Sequence, residues 1–260
     1  MYEGDDSLMR IKIDTCVFSM IGQIRDNHED NFYFFKHSLK EKNTGLEKML
    51  YKTIENDNYP VFGIFDGMGG LPYGEKASRI ASLMLKKCVE EESSFSMKEY
   101  FKITEERMNH YKGGKVKMGT TASLIRFLED KIEIGNIGDS RIYFVKGKKL
   151  IQVSKDHTEQ LLYDELNIIL NRKPKLVEYL GTKEEGIKIH PHIKKISYSN
   201  IKKIIMCTDG LTDMVDDKEI ENILVNEESI VDNMNSLITK VNQNGGRDNT
   251  TIMIFKLERE

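Results

Sequence analysis

The chain has 260 residues, 39% of them hydrophobic and 31% charged, with a formal net charge of -3 at pH 7, which suits one large domain or two small ones. Lysines are interleaved with acidic residues, so there is no basic footprint for nucleic acid or an anionic membrane. No apolar run reaches the length of a membrane span.

Cys16, Cys88 and Cys207 are odd in number and scattered, which argues against a disulfide framework and reads as apolar packing in a reducing compartment. Met1 to Arg10 is polar and acidic and has no signal-peptide core, so the expected location is the cytoplasm.

In chain order, Cys16 to Ile21 and Asn31 to Phe35 are rich in β-branched or aromatic residues and predict strands. His37 to Asn58 is polar and lysine-rich and reads as a surface excursion (37–58). A strand at Val61 to Phe65 follows. A helix then places Ala77, Ile80, Ala81, Met84, Leu85 and Cys88 on one face. A second helix starts at Ser96, where Ser-Met-Lys-Glu forms a capping box with Glu99. Thr121 to Leu128 predicts a strand and Lys131 to Val153 a meander, with turns at Gly135 to Asp139 and Lys146 to Lys148. A short helix after Thr158 is expected to bury Leu162, Leu166 and Ile169. Asn171 to Asn200, with Pro174, Pro191, Gly181 and Gly186, reads as a mobile flap (171–200). Strands at Ile201 to Cys207 and Thr251 to Leu257 bracket a helix whose stripe is Ile230, Met234, Leu237, Ile238 and Val241.

There is no internal repeat and no linker, and only 4 prolines occur, so residues 1–260 are expected to form a single domain. The strands come in groups instead of alternating one for one with helices. That favours packed antiparallel sheets covered by helices, an α+β architecture.

The chemistry lies where strands end. Asp66 follows Val61-Phe62-Gly63-Ile64-Phe65 and precedes Gly67. Asp209 follows Ile204 to Thr208 and precedes Gly210. Asp248 lies just before the strand from Thr251, and Asp30 just before Asn31-Phe32-Tyr33. A sheet fixes such carboxylates, and an adjoining glycine lets a backbone carbonyl approach a ligand closely. Converging carboxylates would repel one another and resist ionisation. Divalent cations remove that conflict, and an all-oxygen set selects magnesium, manganese or calcium over zinc. Two such cations roughly 4 Å apart can hold a hydroxide between them and clamp a phosphate for in-line attack. Any single Asp-Gly is more often a turn than a ligand, so the inference rests on the set.

Seven ordered motifs then resemble the protein phosphatase 2C family, the metal-dependent protein phosphatases. They are Ile24-Arg25-Asp26-Asn27-His28-Glu29-Asp30, Phe65-Asp66-Gly67-Met68-Gly69-Gly70, Met118-Gly119-Thr120-Thr121, Asn136-Ile137-Gly138-Asp139-Ser140-Arg141, Lys155-Asp156-His157, Cys207-Thr208-Asp209-Gly210-Leu211 and Gly246-Arg247-Asp248-Asn249-Thr250-Thr251. They run collinearly from about Ile21 to Leu257, and the Met68 form resembles the bacterial branch.

The resemblance implies a four-layer α-β-β-α sandwich and a serine/threonine phosphatase using two manganese or magnesium ions, with a weaker third. It implies that Asp66 bridges the two metals and the Gly67 carbonyl binds one of them, that Asp209 and Asp248 complete one metal's protein ligands, and that Asp30 serves the other. Glu29 would act through metal-bound water, Arg25 would grip the substrate phosphate, and Asp139 with Asp209 would hold the third metal. Asn136, Ser140, Arg141, Asn249 and His157 read as structural ties. The implied partners are phosphorylated proteins and an opposing serine/threonine kinase. Neither nucleic acid nor membrane is expected, and the chain should be a monomer.

Four departures concern substrate handling. Met68 stands where the animal branch has a proton-donating histidine, and Leu71 where bacterial members often carry another. Val177 to Gly181 lacks the arginine and alanine that usually precede Leu-Gly, and Ser199-Asn200 replaces Gly-Asp.

Rival chemistries fail on spacing. The residues six positions after the cysteines are Gly22, Ser94 and Asp213, so no cysteine phosphatase arginine is present. There is no Asp-x-Asp, Pro72 breaks a dinucleotide fingerprint, and Val116 breaks a nucleotide loop at Gly114-Lys115. His190 and His192 lack further histidine or cysteine neighbours for a zinc site. Two alternatives stay open: an inactive relative acting as a phosphoprotein-binding or scaffold module, and a phosphatase of small metabolites. Retention of every metal aspartate and of Arg25 favours an active enzyme.

Overall fold

Alternation along each strand sorts side chains between two faces, and that sorting builds the molecule. The computed structural model describes residues 11–55, 60–68, 73–91, 95–112, 118–181 and 188–259. Met1 to Arg10, Gly69, Gly70, Leu71, Gly114, Lys115 and Gly186 lie outside the described residues.

One sheet has six strands: β1 (Ile11–Met20), β3 (Leu50–Ile54), β7 (Arg141–Lys146), β8 (Lys149–Gln152), β10 (Ile201–Cys207) and β11 (Thr250–Arg259), in the order β3-β1-β11-β10-β7-β8. The other has five: β2 (Asn31–Tyr33), β4 (Val61–Phe65), β5 (Ala122–Phe127), β6 (Lys131–Ile137) and β9 (His192–Ser197), in the order β2-β4-β5-β6-β9. Every strand pairing in both sheets is antiparallel.

Phe62 and Ile64 of one sheet meet Met253, Phe255, Ile204 and Met206 of the other in a common core. The alternate residues face outward onto helices. Phe65, Ala122 and Leu124 pack on Ala77, Ala81, Leu85, Tyr100 and Phe101 of α1 (Gly74–Glu91) and α2 (Met97–Lys112). Cys16, Ile205, Cys207, Ile252 and Ile254 pack on Met234, Leu237 and Val241 of a further helix, numbered α6 below. The result is the four-layer α-β-β-α sandwich expected from the sequence. Among the described residues, no helix is long and apolar enough to cross a membrane.

The Ser96 cap is present, with Glu99 N donating to Ser96 Oγ at 3.3 Å. Other elements depart from expectation. β3 lies inside the 37–58 excursion and β9 inside the 171–200 flap, and both are sheet edges carrying exposed lysines, Lys52 and Lys194–Lys195. The helix after Thr158 is only α3 (Gln160–Glu165), ended by Asn167 in the left-handed region at φ 54°. Leu166 and Ile169, expected to be buried, are 58% and 87% exposed. The Leu162 side chain lies outside the described residues. After the single turn of α4 (Asp209–Thr212) comes α5 (Asp217–Asn226), absent from the sequence reading. Its cap is Asp216, and it buries only Ile220 and Leu224, too thin a stripe to stand out. The set closes with α6 (Ile230–Gln243), capped by Ser229.

Lys203 of β10 fastens α5 to the sheet. It is 6% exposed, and Nζ donates to Leu224 O at 2.9 Å, to Asn233 Oδ1 at 2.8 Å and to Glu227 O. These acceptors satisfy the ammonium, although burial holds its pKa below the usual lysine value. Lys203→Met would leave buried carbonyls unpartnered, and urea unfolding should show a loss of about 3 kcal/mol.

Candidate active site

Antiparallel pairing puts the start of one strand beside the end of the next. Asn31 at the start of β2 pairs with Phe65 at the end of β4, and Cys207 at the end of β10 pairs with Ile252 near the start of β11 and Arg141 at the start of β7. Asp30, Asp66, Asp139, Asp209 and Asp248 therefore emerge at neighbouring strand ends. Asp66 stands in the field of Asp209, Asp30, Asp139 and Asp248.

Close backbone approach holds these ends together. A Cβ on Gly67 would stand 2.3 Å from Gly74 O and 2.5 Å from Glu29 O, and Gly67 N donates to Glu29 O at 3.1 Å. Only glycine fits between those carbonyls. A Cβ on Gly210 would stand 2.0 Å from Asn249 O, so the exit of β10 and the entry to β11 are in contact. Asn249 joins a third segment: its Oδ1 accepts from Glu29 N at 2.7 Å, and its Nδ2 donates to Ile21 O at 2.8 Å and Asn27 O at 3.0 Å. Hydroxyls fix the Asp66 backbone. Thr120 Oγ1 donates to Asp66 O at 2.8 Å, while Asp66 N donates to Thr121 Oγ1 at 3.1 Å.

Asp30 is 1% exposed. Its Oδ2 accepts from Thr208 Oγ1 at 2.9 Å and Thr251 Oγ1 at 2.7 Å, while its buried Oδ1 has no hydrogen-bond partner. Arg25 donates to Asp248 Oδ2 at 2.6 Å. Lys173, in the flap segment, donates to Asp209 Oδ2 and, at 2.6 Å, to Asp213 Oδ2. Two basic side chains thus each hold a carboxylate of the cluster. Among the described residues, no three histidine, cysteine or acidic groups are drawn together tightly enough to grip one ion in this arrangement.

Burial, then the surrounding charges, raises the Asp66 carboxyl well above the usual range. Burial raises Asp30 to about 8 against the hydrogen bonds of Thr251 and Thr208, and burial with Asp209 raises Asp139 to about 7. Burial and the charge of Glu75 raise Glu29. Its hydrogen bond to Asp248 raises Arg25.

A divalent cation fits this donor set. The donors are all oxygen, and a buried carboxylate oxygen without a partner is costly unless a proton or cation meets it. Sequence reasoning named the aspartates but missed Lys173 and the roles of Thr208 and Thr251. His157, expected to be structural, accepts from Gly138 N at 3.1 Å through Nδ1 and steadies the turn carrying Asp139.

Residues 24–165 match the sequence model of the Protein phosphatase 2C family. The chain belongs to the protein phosphatase 2C family. Within it, the chain is 29% identical over 253 residues to the serine/threonine phosphatase stp of Listeria welshimeri, covering 90% of this chain and 92% of that one. The crystal structure of serine/threonine phosphatase Stp1 from Staphylococcus aureus superposes with a TM-score of 0.77 at 25% identity, over 94% of each chain. The catalytic domain of the phosphatase PstP, described in complex with 2 manganese ions, shares the fold with a TM-score of 0.73 at 22% identity, over 95% of this chain and 99% of that one. This protein phosphatase 2C member is an enzyme, a serine/threonine phosphatase.

The raised carboxyls have a consequence for stability. Their folded state holds protons that the unfolded chain releases near pH 4, so stability of the metal-free protein falls as pH rises toward about 8. His28, pushed down to about 4 by burial, works the other way but only below its ordinary 6.5. Thermal melts in chelator between pH 6.5 and 8 should therefore show a midpoint that drops with pH. In Asp66→Asn that slope should flatten and the midpoint rise.

Proposed function

We propose that this phosphatase removes phosphate from phosphoserine and phosphothreonine in proteins, with Asp30, Asp66, Asp209, Asp248 and the Gly67 carbonyl as ligands of two divalent cations. The observation that carries the reading is Asp30, a buried carboxylate with one oxygen held by two threonines and the other unpartnered among four further aspartates. Manganese or magnesium bound there would supply Lewis acidity and activate the water nucleophile.

The chain's own residues do the rest. Asp66 lies in the field of the other carboxylates and would be the ligand that two ions share. Asp139, whose carboxyl is raised by burial and by the charge of Asp209, suits a weaker third position. Glu29, half-buried beside the cluster, orients water. The Arg25 guanidinium holds Asp248 with one nitrogen and has donors left for a phosphate, which it can grip through two oxygens at once. Met68, two residues after Asp66, has no proton to give, so a water or another group protonates the departing serine or threonine oxygen.

The chain acts as one catalytic domain, in which the flap is the stretch leading to β9 that carries Lys173. Its partners are phosphorylated proteins and the kinase that made them, and three free, buried cysteines favour work in the cytoplasm.

Turnover of a phosphothreonine peptide should require Mn2+ or Mg2+, stop in chelator and be abolished in Asp209→Asn. Arg25→Ala should lower kcat/KM by about a hundredfold, as loss of a charged donor to the reacting group does. Activity surviving thorough chelation would sink the two-cation reading. Tight phosphopeptide binding without turnover would favour the scaffold alternative, and faster hydrolysis of a small phosphate ester than of the peptide would favour a metabolite substrate.

A further inference from the structure

A buried charge costs folding free energy unless its oxygens are met. Asp30 is met on one side only, by a set of hydroxyls drawn from separate parts of the chain. Thr208 and Thr251 sit where β10 ends and β11 begins, and they lock each other: Thr208 N donates to Thr251 O at 3.1 Å, and Thr251 N donates to Thr208 Oγ1 at 2.9 Å. Both hydroxyls reach Asp30 Oδ2. Behind them, Ser19 Oγ lies 2.8 Å from Thr251 Oγ1, and His28 Nε2 lies 3.1 Å from Ser19 Oγ. Ser19, Thr208 and Thr251 are 0% exposed and His28 3%.

With an ionised carboxylate as the final acceptor, each hydroxyl has one proton and one direction. His28 Nε2–H donates to Ser19, Ser19 to Thr251, and Thr251 to Asp30. Such a chain of bonds polarises along its length and stiffens the geometry of its last member. A valine of similar shape at 251 would pack on the same strand without a hydroxyl to satisfy, so the Thr251 hydroxyl makes physical sense through the carboxylate it holds. The Thr208 hydroxyl serves that carboxylate and also accepts from Thr251 N.

We propose that Thr208 and Thr251 are positioning residues: they occupy Oδ2 of Asp30, fix the rotation of its carboxylate and leave Oδ1 alone to face a divalent cation. The inference rests on Asp30 being a cation ligand, and it goes further by assigning the oxygen and the residues that select it. Ser19 and His28 back Thr251 from the second row.

The test is Mn2+ binding by the full chain, followed through the electron paramagnetic resonance signal of free Mn2+, with Thr208→Val, Thr251→Val, Thr251→Ser and Asp30→Asn. Loss of a group that orients a ligand weakens metal binding by about 10- to 100-fold, and each valine variant should show that loss. Thr251→Ser, which keeps the hydroxyl, should bind as the wild type does. At saturating Mn2+ the valine variants should recover most of their kcat on a phosphothreonine peptide, which a damaged fold would not. Should Thr251→Val fail to fold, Thr208→Val and Ser19→Ala carry the same reading. Wild-type Mn2+ affinity in the valine variants, with affinity lost in Asp30→Asn, overturns the positioning role alone. Unchanged affinity in Asp30→Asn overturns the ligand assignment and the positioning role with it.

Discussion

Electrostatic repulsion among carboxylates governs this molecule. Two antiparallel sheets deliver Asp30, Asp66, Asp139, Asp209 and Asp248 to neighbouring strand ends, and burial strips away much of the water that would screen them. Everything around the cluster answers that repulsion in some way. Protons are retained on groups that would ordinarily have lost them. Arg25 and Lys173 each lean on one carboxylate, and two threonines share the load on Asp30. The apolar layers around it supply the stability against which this strain is held. One hydrophobic cluster fills the space between the sheets, and another packs each outer face against its helices.

The two basic side chains differ in what they connect. Arg25 belongs to the segment that also carries Glu29 and Asp30, so its bond to Asp248 stays close to the cluster. Lys173 belongs to the long segment between α3 and β9, and its bonds to Asp209 and Asp213 tie that segment to the first turn after β10. At the far end of the same segment, Gly181 N donates to Glu105 Oε2 of α2, and Thr120 pairs with Leu180. The segment is therefore fastened on two sides of the site, by charge at Lys173 and by backbone pairing at Leu180. Before Lys173, Leu166 and Ile168 expose 58% and 47% of their surface, and between the two fastenings Val177 exposes 53%.

The sequence was most readable where a local pattern carries global meaning. Runs such as Val61 to Phe65 and Ile204 to Cys207 are strands because both faces are covered, and the aspartates at their ends were conspicuous for that reason. Packed antiparallel sheets covered by helices followed from such patterns, and the family and its four-layer sandwich from the resemblance of the ordered motifs. Edge strands were hidden, because β3 and β9 use lysine on their open faces to discourage pairing with another chain, and lysine-rich stretches read as loops. The Leu166 and Ile169 misreading has a related cause: helical spacing was present, but the helix ends before either residue can be buried. Lys173 and the threonines were hidden by distance. Thr208 and Asp30 are 178 positions apart, and no window along the chain can register a hydrogen bond of that span.

The contact between Gly210 and the Asn249 carbonyl also says where this chain can change length. With no room for even a methyl group between them, the exit of β10 and the entry to β11 form a single fixed joint. An inserted residue on either side would alter the spacing of Asp209 and Asp248. The long excursions instead enter the sheets at their perimeters, through β3 and β9. Segments hung from those rims can lengthen, shorten or take on new surfaces while the central joint keeps its dimensions.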